Sequence, residues 1–247
     1  MSSILVTGGT GKLGIPTVAR LREAGHEVRI LSRSAEPGLM MGDLLTGDGI
    51  PAALSGVDTV IHLATGRRDV KAAGNLIQQS RSAGVKHFVL ISIVGCDRIP
   101  LRYYRDKVAI ENLVVGSGLP FTILRATQFH QLVESLFQVQ RRSPLLVLPK
   151  IALQPIDISD VAARLVEIAG SDAGGRVPDI GGPQRRTLRD LARSWSLATQ
   201  SRKRIVPVWF PGKVFAGFAA GYHMVPGPAY GTRTFEEHLA ARHRRRP

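Results

Sequence analysis

Short runs of Val, Ile and Leu alternate along the chain with segments whose apolar residues recur every three or four positions. "SILVTG" (3–8) reads as a buried strand. "GIPTVARLREAG" (14–25) reads as a helix stopped by a glycine, with Ile15, Val18 and Ala19 on one face and Leu21 at its flank. The alternation continues as strand "HEVRILSR", strand "DTVIHLAT", helix "DVKAAGNLIQQSRSAG", strand "KHFVLISIVG", helix "YYRDKVAIENLVVGSG" and strand "PFTILRAT". Strands apolar on both faces, separated by helices, predict an α/β fold with a doubly wound parallel sheet.

Beyond residue 128 the rhythm loosens. "FHQLVESLFQVQRR" reads as helical and "LLVLPKIALQPID" as extended; "ISDVAARLVEIAG" and "TLRDLARSWSLATQ" read as amphipathic helices. Asp160 is the expected N-cap of the first amphipathic helix, starting at Val161, and Thr187 of the second. The expected organisation is a single domain over 1–247, with a core at 1–128 and a small C-terminal substrate-binding lobe plus tail at 129–247.

The first helical turn carries chemistry. "TGGTGKLG" (7–14) follows a strand and opens a helix; Gly8, Gly11 and Gly14 sit in it, and Gly9, Gly11 and Gly14 also satisfy the G-x-G-x-x-G spacing. In that context one glycine allows a tight turn, one lets a pyrophosphate approach the backbone, and one lets helix and strand pack. The expectation is a Rossmann fold binding a dinucleotide at the helix N-terminus. At the end of the second strand the sequence reads Ser32, Arg33, Ser34 where an NAD site usually has a carboxylate. Arg33 suits a 2′-phosphate, with Lys12 as a second cation, so NADP(H) is favoured over NAD(H).

"YYRDK" places Tyr103 and Lys107 four residues apart, on one face of a helix. A phenol beside an ammonium is a proton donor with its own tuner, and Lys107 could also hold the nicotinamide ribose.

With "HLAT", "AGVKHFVLISIVG", "LPFTILRATQFH" and "QPIDISDVA", these segments resemble the NmrA-like, atypical branch of the short-chain dehydrogenase/reductase superfamily, over essentially the whole chain. The resemblance implies a cofactor held by Thr7, Gly8, Thr10, Gly11, Lys12, Leu13 and Gly14, with Arg33 at the 2′-phosphate. It implies Asp43 near the adenine and Leu63, Ala64 and Thr65 along the cofactor. Tyr103 and Lys107 match the catalytic pair, Ser92 is the candidate hydroxyl beside them, and Ala126 to Phe129 would pass the nicotinamide. Gln128, Phe129 and His130 are the substrate candidates. The chain reads Ser92-Ile93 where relatives often read Ser-Ser, which leaves the catalytic hydroxyl open.

Composition narrows the choices. A single cysteine, Cys96, excludes a disulfide framework and a cysteine zinc site, and no metal site is expected. Cys96 lies just past the Ser92 strand as a candidate redox-sensitive thiol. His62 is expected to be a structural imidazole inside its strand. The aromatic stretch around Phe210, Phe215, Phe218 and Tyr222 reads equally as core or as a lid. A net charge of +14 favours anionic ligands. Its dense run "ARHRRRP" is expected to be a solvated tail, so nucleic acid is not the expected partner. No apolar run nears the ~20 residues of a membrane span, and no leader pattern opens the chain, which predicts a cytoplasmic protein without membrane contact. The expected partner is a small-molecule substrate, with a homodimer as candidate assembly. Three functions stay open: an NAD(P)H-dependent oxidoreductase for a small carbonyl or quinone-type substrate, a non-enzymatic NADP(H) sensor, and an epimerase or dehydratase that retains NADP.

Overall fold

A computed structural model describes residues 2–243. The chain runs β1 (Ser3–Thr7), α1 (Gly14–Glu23), β2 (Glu27–Ser32), β3 (Met40–Met41), α2 (Ile50–Leu54), β4 (Thr59–His62) and α3 (Asp69–Ser82). It continues through β5 (His87–Ile93), α4 (Arg102–Val115), β6 (Phe121–Ala126), α5 (His130–Gln138), β7 (Leu145–Pro149), β8 (Ala152–Leu153) and α6 (Ile158–Ala169). The remainder is β9 (Gly175–Arg176), β10 (Arg186–Thr187), α7 (Leu188–Thr199), β11 (Arg204–Val208), α8 (Lys213–Ala219) and α9 (Phe235–His243).

Two compact units share this chain. The first comprises Met1–Ser92, Arg102–Arg125 and Val161–Pro178. It holds a seven-stranded parallel sheet in the order β3-β2-β1-β4-β5-β6-β9, the doubly wound order with its switch between β1 and β4. Ile4, Leu5, Val60, Ile61, Phe88 and Leu90 are fully buried, because helices cover both faces of the sheet. α1 ends where Gly25, at φ +83°, takes the left-handed position that closes a helix. The short strands β3 and β9 and the helix α2 are additions to the predicted pattern; with two to five residues each, they carry too little periodicity to be read.

One predicted face is corrected. α1 buries Gly14, Thr17, Val18 and Leu21, whereas Ile15 is 62 % exposed and Ala19 is exposed. The stripe is set by Gly14 packing on the glycine turn, which rotates Ile15 outward.

The second unit comprises Ile93–Leu101, Ala126–Asp160 and Asp179–Pro247. Parallel β7–β11 and antiparallel β8–β10 pairs pack with α5, α7 and α9 around Val133, Phe137, Leu146, Leu148, Trp195 and Phe235. β7 alternates as a half-buried strand should, and the Gln140 amide occupies both the N–H and the C=O of Val147.

Thr187 caps α7 as expected, its Oγ1 accepting from Asp190 N. Asp160 does not cap α6. The helix begins earlier, at Ile158; Asp157 accepts from the N–H and hydroxyl of Ser159, and Asp160 instead accepts from Thr232 N and Oγ1 and from Arg233 N. Burial pushes the Asp157 carboxyl up, but hydrogen bonds from His238 and Ser159 outweigh it and hold the group below the usual range. Of the basic C-terminal run, residues 244–247 lie outside the described residues; Arg242 is not free tail but pairs with buried Glu134 at 2.8 Å.

Candidate functional site

The glycine turn lies at the carboxyl end of β1. Gly8 has φ +73°, and a Cβ there would stand 2.6 Å from Ala64 N, so the turn rests directly on the segment after β4. At Gly14 a Cβ would strike the Gly8 carbonyl and come within 2.6 Å of Gly9 Cα, which only a glycine avoids. Gly9 is packed against the Ile30 side chain. Gly11 differs: it is exposed, and a Cβ would meet only Gly8 O, at 3.2 Å. Thr7 is buried with its Oγ1 2.7 Å from His62 Nδ1, which ties the ends of β1 and β4 together. His62 is thus the structural imidazole expected. Burial, and then the charge of Lys107, push its pKa down to about 3.

The other predicted cofactor residues gather at the same sheet edge. Arg33 is exposed just past β2, and Gly42 N donates to Ser32 O at 2.8 Å, which brings the Asp43 loop beside it. Asp43 Oδ1 accepts from Leu45 N at 2.7 Å, so one of its oxygens shapes its own turn. Leu63 N donates to Thr7 O, and Leu63 and Ala64 are half-buried while Thr65 is exposed.

Tyr103 and Lys107 both lie on α4, but their settings differ. Tyr103 is 42 % exposed and its hydroxyl is 3.3 Å from Thr65 Oγ1; Lys107 is 4 % exposed, its Nζ 5.6 Å from the Tyr103 ring centroid. The Lys107 ammonium is 3.4 Å from Asp69 Oδ2, at the start of α3. Asp69, 6 % exposed, also accepts from Thr65 Oγ1 at 2.9 Å and, through Oδ1, from Gly66 N at 2.8 Å. Sequence reasoning missed Asp69. Its one local signal is an acid in the first turn of a helix, which reads as favouring the helix dipole and says nothing of a lysine 38 residues away.

Comparison with known proteins decides the family. A family model described as NAD(P)H-binding matches residues 8–171, which span the glycine turn, the Thr65 segment and the Tyr103–Lys107 helix. The chain belongs to this NAD(P)H-binding family. It is 29 % identical over 219 residues to an NAD(P)H azoreductase from Xenophilus azovorans, covering 83 % of this chain and 77 % of that protein. To the photosystem II assembly factor Ycf39 from Trieres chinensis it is 33 % identical over 152 residues, 52 % of this chain and 46 % of that protein. The chain spans 46 % to 64 % of the length of several of the curated relatives it matches. An NADPH-dependent quinone oxidoreductase structure from Escherichia coli shares the fold, with a TM-score of 0.80 at 18 % identity over 96 % of this chain and 98 % of that one.

The residues present fit the NAD(P)H that defines the family. No side chain caps the N-terminus of α1 and no acidic residue stands in its first turn, so no carboxylate competes there with an anion; Ile15 N donates to Gly11 O at 3.0 Å and Pro16 has no N–H. Thr10, Gly11 and Lys12 are exposed there, and Arg33 adds a cation at the neighbouring strand end. Among the described residues no cluster of His, Cys, Asp and Glu could hold a metal, and no helix is long and apolar enough to cross a membrane.

The remaining candidates are placed as follows. Ser92 lies at the end of β5 and is 3 % exposed, and Ile93 beside it is half-buried. In the second unit Gln128 is 8 % exposed with its Nε2 donating to His223 O at 3.3 Å, and half-buried Phe129 precedes α5. His130 is 1 % exposed, its Nε2 3.0 Å from Arg233 O and its ring 5.2 Å from that of His238. Burial, opposed by the Arg233 carbonyl, lowers its pKa. Cys96 is buried. Phe210 stacks on Phe215 at 4.9 Å beside a cavity of about 110 Å³ that they line with Ile151 and Trp209.

Proposed function

We propose that the protein is an NADPH-dependent reductase of the NmrA-like branch, acting on a small carbonyl or quinone-type substrate. The observation that supports it best is an accessible phenol, Tyr103, held by Thr65 at the edge that carries the nucleotide turn, with a buried lysine behind its ring. A fold that only bound the nucleotide would have no use for a positioned proton donor there.

NADPH, when bound, supplies a hydride from its nicotinamide. The α1 amides bind its pyrophosphate, Arg33 and Lys12 select the 2′-phosphate, and Asp43, Leu63, Ala64 and Thr65 line its path. Tyr103 Oη gives its proton to the substrate oxygen as charge develops on it, and Ser92 is the second hydroxyl candidate for that oxygen. Lys107 keeps a positive charge behind the phenol. Gln128 and Phe129 are the candidate substrate contacts of the second unit, while His130 supports α5 from within.

Ile93 and the Ycf39 relatives favour a second reading, a nucleotide-binding protein without turnover. NADPH consumption with a panel of quinones, aldehydes and ketones, run beside Tyr103→Phe, separates the two. Turnover that collapses in the variant while NADPH binding survives supports the reductase. Binding without turnover on every panel member supports the second reading, or an epimerase or dehydratase whose cofactor is recycled in place.

A further inference from the structure

Four polar groups in the first unit form one connected chain. Thr65 Oγ1 lies 3.3 Å from the Tyr103 hydroxyl and donates to Asp69 Oδ2 at 2.9 Å, and the same Oδ2 accepts from Lys107 Nζ at 3.4 Å. We propose that Asp69 is the positioning residue of the Tyr103–Lys107 pair, its Oδ2 holding the lysine directly and the tyrosine through the Thr65 hydroxyl. The inference rests on the reading of Tyr103 as proton donor.

Three observations carry it. Asp69 and Lys107 are 6 % and 4 % exposed, and buried charges of this kind persist only when paired and hydrogen-bonded. Holding the loop before α3 needs only one carboxylate oxygen, and Oδ1 serves it by accepting from Gly66 N. Oδ2 is therefore committed to the pair. Finally, a hydroxyl has one proton: Thr65 spends it on Asp69, so only lone pairs are left to face Tyr103, and the phenol must donate.

The consequence is a phenol whose O–H is directed at Thr65 until a better acceptor arrives. A substrate oxygen that reaches Tyr103 Oη takes its proton as charge develops on that oxygen. The phenolate left behind then accepts a hydrogen bond from Thr65, whose O–H rotates away from Asp69 without transferring its proton. Lys107 stays on Asp69 throughout, so its charge remains where the phenolate appears.

Asp69→Asn in the full chain separates positioning from the loop contact, because the amide oxygen can still accept from Gly66 while the NH₂ can no longer accept from Thr65 or balance Lys107. Thr65→Val removes the hydroxyl that links Tyr103 to Asp69 and leaves the Asp69–Lys107 contact in place. Limited acetylation by acetic anhydride, read by mass spectrometry against exposed Lys213, reports the hold on Lys107 without any turnover. We expect Lys107 to be acetylated roughly fivefold faster in Asp69→Asn and at the wild-type rate in Thr65→Val, as the loss of a buried ion pair frees the side chain. In NADPH consumption kcat falls on the order of 30-fold in Asp69→Asn, with KM for NADPH within about twofold, as for an interaction made only during proton transfer, and about fivefold in Thr65→Val. Unchanged acetylation in Asp69→Asn, or unchanged kcat in both variants, overturns the proposal. Should Asp69→Asn not fold, the kcat of Thr65→Val decides. Should the wild type turn over nothing on the panel, the reductase reading fails, and the acetylation result still tells whether Asp69 holds Lys107.

Discussion

Gly11→Ala separates a glycine kept for the cofactor from one kept for the fold. A Cβ at Gly11 meets only Gly8 O, at 3.2 Å, and the residue is exposed at an ordinary φ. The crowding costs a few tenths of a kcal/mol, and the lost freedom of the unfolded chain returns about 0.4–1 kcal/mol, so stability without ligand stays near wild type. Gly14→Ala has no such escape: the methyl runs into the Gly8 carbonyl and Gly9 Cα, for about 3 kcal/mol.

The cofactor responds in the opposite order. A methyl at Gly11 stands where the pyrophosphate approaches the backbone, and losing two amide-to-phosphate hydrogen bonds costs about 2 kcal/mol, or roughly 30-fold in Kd. NADPH at one hundred times the wild-type Kd stabilises the wild type by about 2.7 kcal/mol and Gly11→Ala by only about 0.9 kcal/mol. At about 2–4 °C per kcal/mol for a chain of this size, the NADPH-induced rise in melting temperature shrinks from about 5–11 °C to about 2–4 °C. Thermal melts with and without NADPH, backed by fluorescence titration, measure both numbers. A full NADPH shift in Gly11→Ala would refute the placement of the pyrophosphate. An apo melting temperature as low as that of Gly14→Ala would show that Gly11 is structural.

Arg33→Ala should weaken NADPH by about 10- to 100-fold and leave NADH nearly unchanged, since only a 2′-phosphate gains a charge-assisted bond there; equal loss for both cofactors would count against the assignment. His62 titrates near 6.5 in the unfolded chain and, through burial and then the Lys107 charge, at about 3 in the folded one. The unfolded state therefore binds the extra proton between those values, and stability present above about pH 6.5 is lost as pH falls. His62 alone accounts for about 2 kcal/mol between pH 7 and pH 5, and urea titrations of His62→Asn should lose that slope. Glu111→Gln leaves buried Arg125 without the carboxylate that pairs with it at 2.5 and 2.7 Å, for about 3–5 kcal/mol; Glu111→Met with Arg125→Met together should cost less than the single change.

The sheet was legible because its strands are buried on both faces and read as unbroken apolar runs, as β1 and β4 do. The details that escaped depend on contacts between distant segments. Ile15 looks like a core residue, but the facing of α1 is decided by how Gly14 seats on Gly8 and Gly9. Asp160 is the cap expected from the sequence; the role falls to Asp157 because a segment 72 residues later presents Thr232 and Arg233 amides to Asp160. A strand as short as β9 exists only because β6 offers it an edge.

The same division runs through the site. Nucleotide binding was readable because it is local: a strand end, a turn and a helix start within a dozen residues suffice to aim amides at a phosphate. The Tyr–Lys spacing was readable too, but its electrostatics were not. The sequence presents Lys107 as a lone cation beside Tyr103; the fold brings Asp69 to within 3.4 Å of that cation and sets Thr65 Oγ1 between the carboxylate and the phenol. A spacing motif therefore names the participants, while the state in which they wait is set by a carboxylate from another helix. An isolated Tyr-x-x-x-Lys helix, with no counterpart of Asp69, should not behave as this pair does.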